Sequence, residues 1–97
     1  MTAIQISAIT MTTSGNGHEH IDSLYWTNQT GKGWTARAEM VTFVDNPSNT
    51  AFVSNGDYKV KVKSVHPSGR LPYVRTMTDG TPTDNLLYLP GGPYYKG

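Results

Sequence analysis

Along most of this chain apolar residues recur at every second position. Ile4, Ile6 and Ala8 alternate with Gln5 and Ser7, and the apolar phase then slips by one residue to Ile9 and Met11. A period of two marks a strand, so a first strand is predicted over Ala3 to Thr12. The slip predicts a bulge near Ala8, or a central strand covered on both faces. Thr13 to Gly17 is turn chemistry, and His20 to Asn28 reads as a second strand ending in the bulky, β-favouring Tyr25, Trp26 and Thr27. Thr50 to Ser54 and Asp57 to Val65 flank Asn55-Gly56, the strongest short-range hairpin signal. In the returning strand Tyr58, Val60 and Val62 take one face, and Lys59, Lys61 and Lys63 the other. Tyr73 to Met77 is the fifth predicted strand.

The period changes once. Thr30 to Gly33 breaks the chain, and Ala36, Met40, Val41 and Val44 then recur at helical spacing with Phe43 beside them. Thr35 is the expected N-cap and Asn46-Pro47 the stop. Pro67 to Pro72 and Thr78 to Asn85 read as loops, and Leu86 to Leu89 as a last apolar anchor. The predicted fold is α+β, a small curled antiparallel sheet of about five strands with one short helix, in the order β-β-α-β-β-β. Residues 1–90 read as one domain and 91–97 as a mobile tail.

Composition narrows the class. With 97 residues and no Cys, the chain has a thin core and neither a disulfide nor a Cys-based zinc site to reinforce it. Self-association is the remaining remedy, so a homo-oligomer is expected. The net charge of +1 gives no global field toward nucleic acid. No apolar run reaches the ~20 residues of a membrane span. The start, Met-Thr-Ala-Ile-Gln-Ile, lacks the basic start and apolar core of a signal peptide, so a cytoplasmic protein without a membrane partner is expected.

Candidate chemistry gathers at Gly15 to Trp26. On a strand His18 and His20, two apart, would reach out on one face with Glu19 on the other. A metal site needs about three convergent donors, and His66, Asp22 and Asp84 are the available thirds. No spacing demands that set, so no metal is assigned. The alternatives are contact with a polar ligand or a purely local role capping backbone groups. There is no Cys or Gly-x-Ser-x-Gly nucleophile, and Asp79 and Asp84 sit in turn contexts, so catalysis is not expected. Gly15-Asn16-Gly17 and Gly31-Lys32-Gly33 could each offer amides to an anion, or simply make turns. The Lys59, Lys61, Lys63 ladder is either a solvated, aggregation-resistant face or an anion contact. Phe43 and Phe52 are expected in the core, and Trp26 and Trp34 are the candidate stacking platforms.

Several of these segments resemble a known family. Ile6-Ser-Ala-Ile9, then His18-Glu-His-Ile21 with Trp26, Arg37-Ala-Glu-Met-Val41 with Val44, Tyr73-Val-Arg-Thr76, Asp79-Gly80 and Asp84-Asn-Leu-Leu-Tyr-Leu-Pro90 are similar to a widespread family of small bacterial and phage proteins catalogued as a domain of unknown function. The similarity spans roughly residues 4 to 90. It implies kinship without an activity. The chain departs from the family in its Gly91 to Gly97 tail and its lysine ladder.

The functional expectation is a non-enzymatic binding module without a cofactor. Its ligand is small and anionic with a flat ring, a nucleotide or cyclic nucleotide, held by His18, His20 and Trp26 with the Arg75, Thr76, Asp84 and Asn85 segment. Trp26 would stack, Arg75 would meet phosphate, and Asp84 or Asn85 would read polar edges. Lys59, Lys61 and Lys63 are a secondary anionic contact. The family's phage occurrence implies one form, an oligomer that sequesters a signalling nucleotide. Two rivals stay open: an interaction protein binding RNA or a protein partner through the lysine face, and a metal-dependent hydrolase using His18 and His20.

Overall fold

The computed structural model describes residues 2–12, 15, 17–55, 58–78 and 80–95. Asn16 and most of the predicted Thr13 to Gly17 turn, Gly56, Asp57, Asp79 and the last two residues of the tail lie outside the described residues; of the predicted Asn55-Gly56 turn, Asn55 is described and is a strand residue paired with Tyr58. Seven strands form one sheet: β1 Thr2–Met11, β2 Ile21–Thr27, β3 Lys32–Ala36, β4 Asn49–Asn55, β5 Tyr58–Val65, β6 Tyr73–Thr78 and β7 Thr81–Thr83. One helix, α1 Arg37–Asp45, links β3 to β4. The curled, β-rich architecture with a single helix is as expected; the strand number is not. The expected break and helix start contain β3, and the expected Thr78 to Asn85 loop contains the three-residue β7.

The sheet order is β3-β2-β1-β4-β5-β6-β7. All neighbours are antiparallel except β1 and β4, which run parallel with Thr2 opposite Asn49 and Gln5 opposite Phe52. Topology explains the exception. After two reversals β3 runs with β1, and α1 carries the chain back, so β4 begins at the same end as β1. The predicted bulge is present: Ile6 pairs with Trp26 but Ala8 with Tyr25, leaving Ser7 as the extra residue. It rephases β1 so that Ile4, Ile6 and Ile9 are all buried.

These three isoleucines meet Ile21, Leu24, Met40, Val41, Ala51, Val53, Val62 and Val74 in one core, closed by Leu86 and Leu87. The last two come from a 3₁₀ turn, Asn85–Tyr88, so the apolar anchor read at Leu86 to Leu89 does enter the core. Residues beyond it hydrogen-bond back: Pro90 accepts from the Ile9 amide at 2.9 Å, and Tyr94 donates to the Leu87 carbonyl at 3.0 Å.

The helix starts one residue later than expected. Ala36, not Thr35, is the N-cap, and it supplies no side-chain bond. Thr35 belongs to β3, opposite Leu24. The Asn46-Pro47 stop holds: Asn46 Oδ1 accepts from the Ser48 amide at 2.9 Å, and Asn49 Nδ2 caps the Phe43 carbonyl at 3.1 Å. Phe43 packs against the core from the helix. Phe52 does not, because Ala51 and Val53 are its inward neighbours and alternation turns Phe52 to the outer face.

Candidate functional site

His18 and His20 do not project together from a strand. They form a 3₁₀ turn ahead of β2, built by the His20 amide donating to the Gly17 carbonyl at 2.9 Å. In such a turn residues two apart point in different directions. His18 turns inward and is 6% exposed, while the His20 ring packs on Gly15 and its Nε2 lies 3.7 Å from Glu19 Oε1.

The inward histidine meets four of the other expected site residues. Its Nε2 is 4.0 Å from Asp84 Oδ1, which also accepts from Arg75 Nη2 at 3.2 Å. Arg75 Nη2 reaches the Thr83 carbonyl at 3.4 Å as well. Beside it Thr76, fully buried, has its hydroxyl 2.6 Å from Thr83 Oγ1 and accepts from the Asn85 amide at 3.2 Å. His18 Nε2 and Arg75 Nε have no hydrogen-bond partner among the described residues. Burial lowers the His18 pKa, the Arg75 cation lowers it further, and Asp84 and Glu19 only partly oppose them, so the imidazole is neutral at neutral pH. The Arg75 fork expected to meet phosphate therefore already holds Asp84 and a carbonyl. No group of three or more His, Asp or Glu side chains able to hold a metal occurs among the described residues.

Trp26 is not part of this cluster. It sits five residues along β2 from Ile21, about 17 Å at the usual rise of an extended strand. There it pairs with Ile6 on one side and Gly33 on the other, and a methyl group at Gly33 would touch the indole at 3.7 Å from Nε1. The ring packs against the core and lines a cleft of about 420 Å³ between the sheet end and α1, with Ile4, Met40 and Phe43 as its apolar walls. Thr2, Asn28, Thr30, Thr35 and Glu39 form the polar rim. A second cleft of about 490 Å³ opens over the rim on the outer face, sharing Thr2, Asn28 and Thr30 and adding Phe52 and Lys59. Lys59 Nζ stands 4.5 Å from the centroid of the Phe52 ring.

Lys61 and Lys63 continue that outer face, both exposed. The glycine turns have partners of their own. A methyl on Gly17 would approach the Glu19 carboxylate to 2.8 Å, a poor setting for an anion, and the Gly31 amide is bound to Asn28 Oδ1 at 2.9 Å. Sequence reading missed Asn28, Thr30, Thr35, Glu39, Met40 and Phe43 as cleft residues. Their one signal was position: Asn28 and Thr30 follow Trp26 in a turn, and Thr35, Glu39 and Phe43 ride one side of the helix entry.

The arrangement defines a class: a curled, open α+β sheet whose helix-side mouth ends in an aromatic cleft with a charged rim. The chain belongs to the family described as "Protein of unknown function (DUF3892)", whose model matches residues 5–90. No curated protein and no solved structure matches it. No helix among the described residues is long and apolar enough to cross a membrane.

Proposed function

We propose that the protein is a non-enzymatic module that binds a small molecule combining a flat ring with an anionic group, in the nucleotide or cyclic-nucleotide class. The observation that carries this reading is the Trp26 cleft. Its volume, about 420 Å³, lies in the range of small-molecule sites, and it has apolar walls with a few converging polar groups, as such sites do. Trp26 and Phe43 supply faces for a ring. Glu39 accepts hydrogen bonds and repels anions, so it selects the donor-bearing edge of a base and turns the phosphate away. Across the shared Thr2, Asn28 and Thr30 rim, Lys59 is the nearest lining cation, which sets a direction from ring to charge.

This reading moves the ligand from the His18 and Arg75 end to the Trp26 end. Arg75, Thr76, Asp84 and Asn85 then serve as a polar lock under β7, and His20 packs on Gly15. A homo-oligomer belongs to the same proposal, since β3 is an unpaired sheet edge among the described residues that a second copy can extend.

Calorimetric titration against a nucleotide panel tests it. Trp26→Ala should weaken binding by about 1–3 kcal/mol, the worth of a base–aromatic stack. Because Trp26 also supports the core, Glu39→Gln at the helix surface is the companion variant. It should leave the melting temperature alone and weaken preference for bases bearing amino groups. Wild-type protein that binds nothing in the panel, or folded variants that bind like wild type, would refute the proposal.

A further inference from the structure

We infer that the helix-free face of the sheet binds single-stranded nucleic acid through Lys61, Lys63 and Trp34, which lie outside both clefts, together with Lys59, which it shares with the outer cleft. The net charge of +1 conceals a segregation. On the strands stand Lys32, Lys59, Lys61, Lys63 and Arg75, against one acid, Asp22. The other described acids, Glu19, Glu39, Asp45 and Asp84, sit on the 3₁₀ turn, the helix and a loop. Alternation then sends the strand lysines outward. Val60 and Val62 are buried, so Lys59, Lys61 and Lys63 share the opposite face, spaced about 7 Å apart. Arg75 stands opposite Lys63, but its charge is spent on Asp84.

The same face carries flat rings. Tyr25 pairs with Trp34 across β2 and β3, their centroids 5.2 Å apart and planes tilted by 58°. Trp34 remains 54% exposed, an unusual state for an indole that only has to pack. Phe52 lies beneath the Lys59 ammonium at the centre of the face. A ladder of cations on the same face as one exposed and two half-buried rings is the composition of a single-strand platform, where lysines track the backbone and unstacked bases lie on aromatics. A duplex hides its bases from those rings, and an acidic peptide has nothing to stack on them.

Fluorescence anisotropy with a labelled oligo(U) of roughly 12 nucleotides, within the span of single-strand sites, tests this on the full chain. Three lysine–phosphate contacts predict a log–log salt slope of about −2, at about 0.7 released counterion per contact. The double variant Lys61→Ala/Lys63→Ala should weaken binding at least ~10-fold at low salt and flatten the slope to about −0.7, the value for the one contact left. Trp34→Ala should weaken binding at least ~5-fold with the slope unchanged, and Trp34→Phe should restore most of the loss, because stacking rather than charge is removed. All three positions are exposed and leave the Trp26 cleft intact, so failure here is distinct from failure of the small-ligand reading. The inference is overturned if wild type does not bind at low salt, or if the variants bind as wild type does. It is equally overturned if duplex RNA or a polyglutamate peptide binds as tightly as the single strand.

Discussion

Thr76→Val removes one oxygen from the most buried polar side chain among the described residues and leaves its shape almost unchanged. Thr76 is fully buried on β6, and its hydroxyl lies within bonding distance of Thr83 Oγ1 at 2.6 Å, the Thr83 carbonyl at 3.2 Å and the Asn85 amide at 3.2 Å. A hydroxyl donates once and accepts twice, so about three bonds are lost. Each is worth about 1 kcal/mol net, and the Asn85 amide and Thr83 carbonyl keep partial access to water, so the expected loss is about 2 kcal/mol. In a domain of this size that shifts the melting temperature by roughly 10 °C. Thr76→Ser keeps the oxygen and loses a methyl, costing about 1 kcal/mol. Urea unfolding of both variants, with Thr83→Val in a double-mutant cycle, isolates the hydroxyl–hydroxyl bond between Thr76 and Thr83. The polar-lock reading requires Val to be the costlier change at Thr76 and Thr76 and Thr83 to couple by about 1 kcal/mol. Equal stability of Thr76→Val and wild type, or strict additivity with Thr83→Val, would refute it.

Two further outcomes follow from other parts of the frame. The His18 pKa is held below its ordinary value of 6.5, so beneath that pH the unfolded chain binds more protons than the folded one; stability present above pH 6.5 is then lost as pH falls through the window below it. Urea midpoints measured across that window should decline more steeply for wild type than for His18→Gln, and parallel declines would contradict the buried, neutral imidazole. Gly91 has φ +91° and a methyl there would stand 1.8 Å from the Ile9 carbonyl oxygen. Gly91→Ala should cost at least about 2 kcal/mol in a chemical melt, through left-handed strain and displacement of the Pro90 contact to Ile9. Wild-type stability in that variant would show that the segment does not dock as described.

Much of the sheet was legible because its signals were local. The phase slip from Ile6 to Ile9 located the bulge, and the valine–lysine alternation of β5 gave both faces of that strand. Phe52 was also legible and was misread. The predicted Asn55-Gly56 turn would set Phe52 opposite Lys59, and the observed register sets it opposite Lys61; either way it shares the lysine face, yet an isolated phenylalanine was counted as core by type alone. What failed depended on distant parts of the chain. β3 hides behind Gly31 and Gly33, which read as a break, and its pairing with β2 overrides that propensity. The 3₁₀ turn at His18 to His20 is too short to carry a period, so a strand was extended through it and the histidine directions came out wrong. Arg75, Asp84, Thr76 and Asn85 did converge with His18, but Trp26 was assigned to them by nearness in sequence. β2 is extended, and the five residues from Ile21 to Trp26 carry the indole about 17 Å along the strand from the His18 turn.

The measurement closest to the central claim uses Trp26 as its own reporter. The chain has two tryptophans, so Trp34→Phe leaves Trp26 alone in the cleft. Titrating that protein with a panel of mono-, di- and cyclic nucleotides should give saturable quenching of Trp26 emission for at least one member. That response should be weakened by Lys59→Ala and left unchanged by Lys61→Ala. Unperturbed Trp26 emission across the whole panel, from a protein with the wild-type melting curve, would contradict the account.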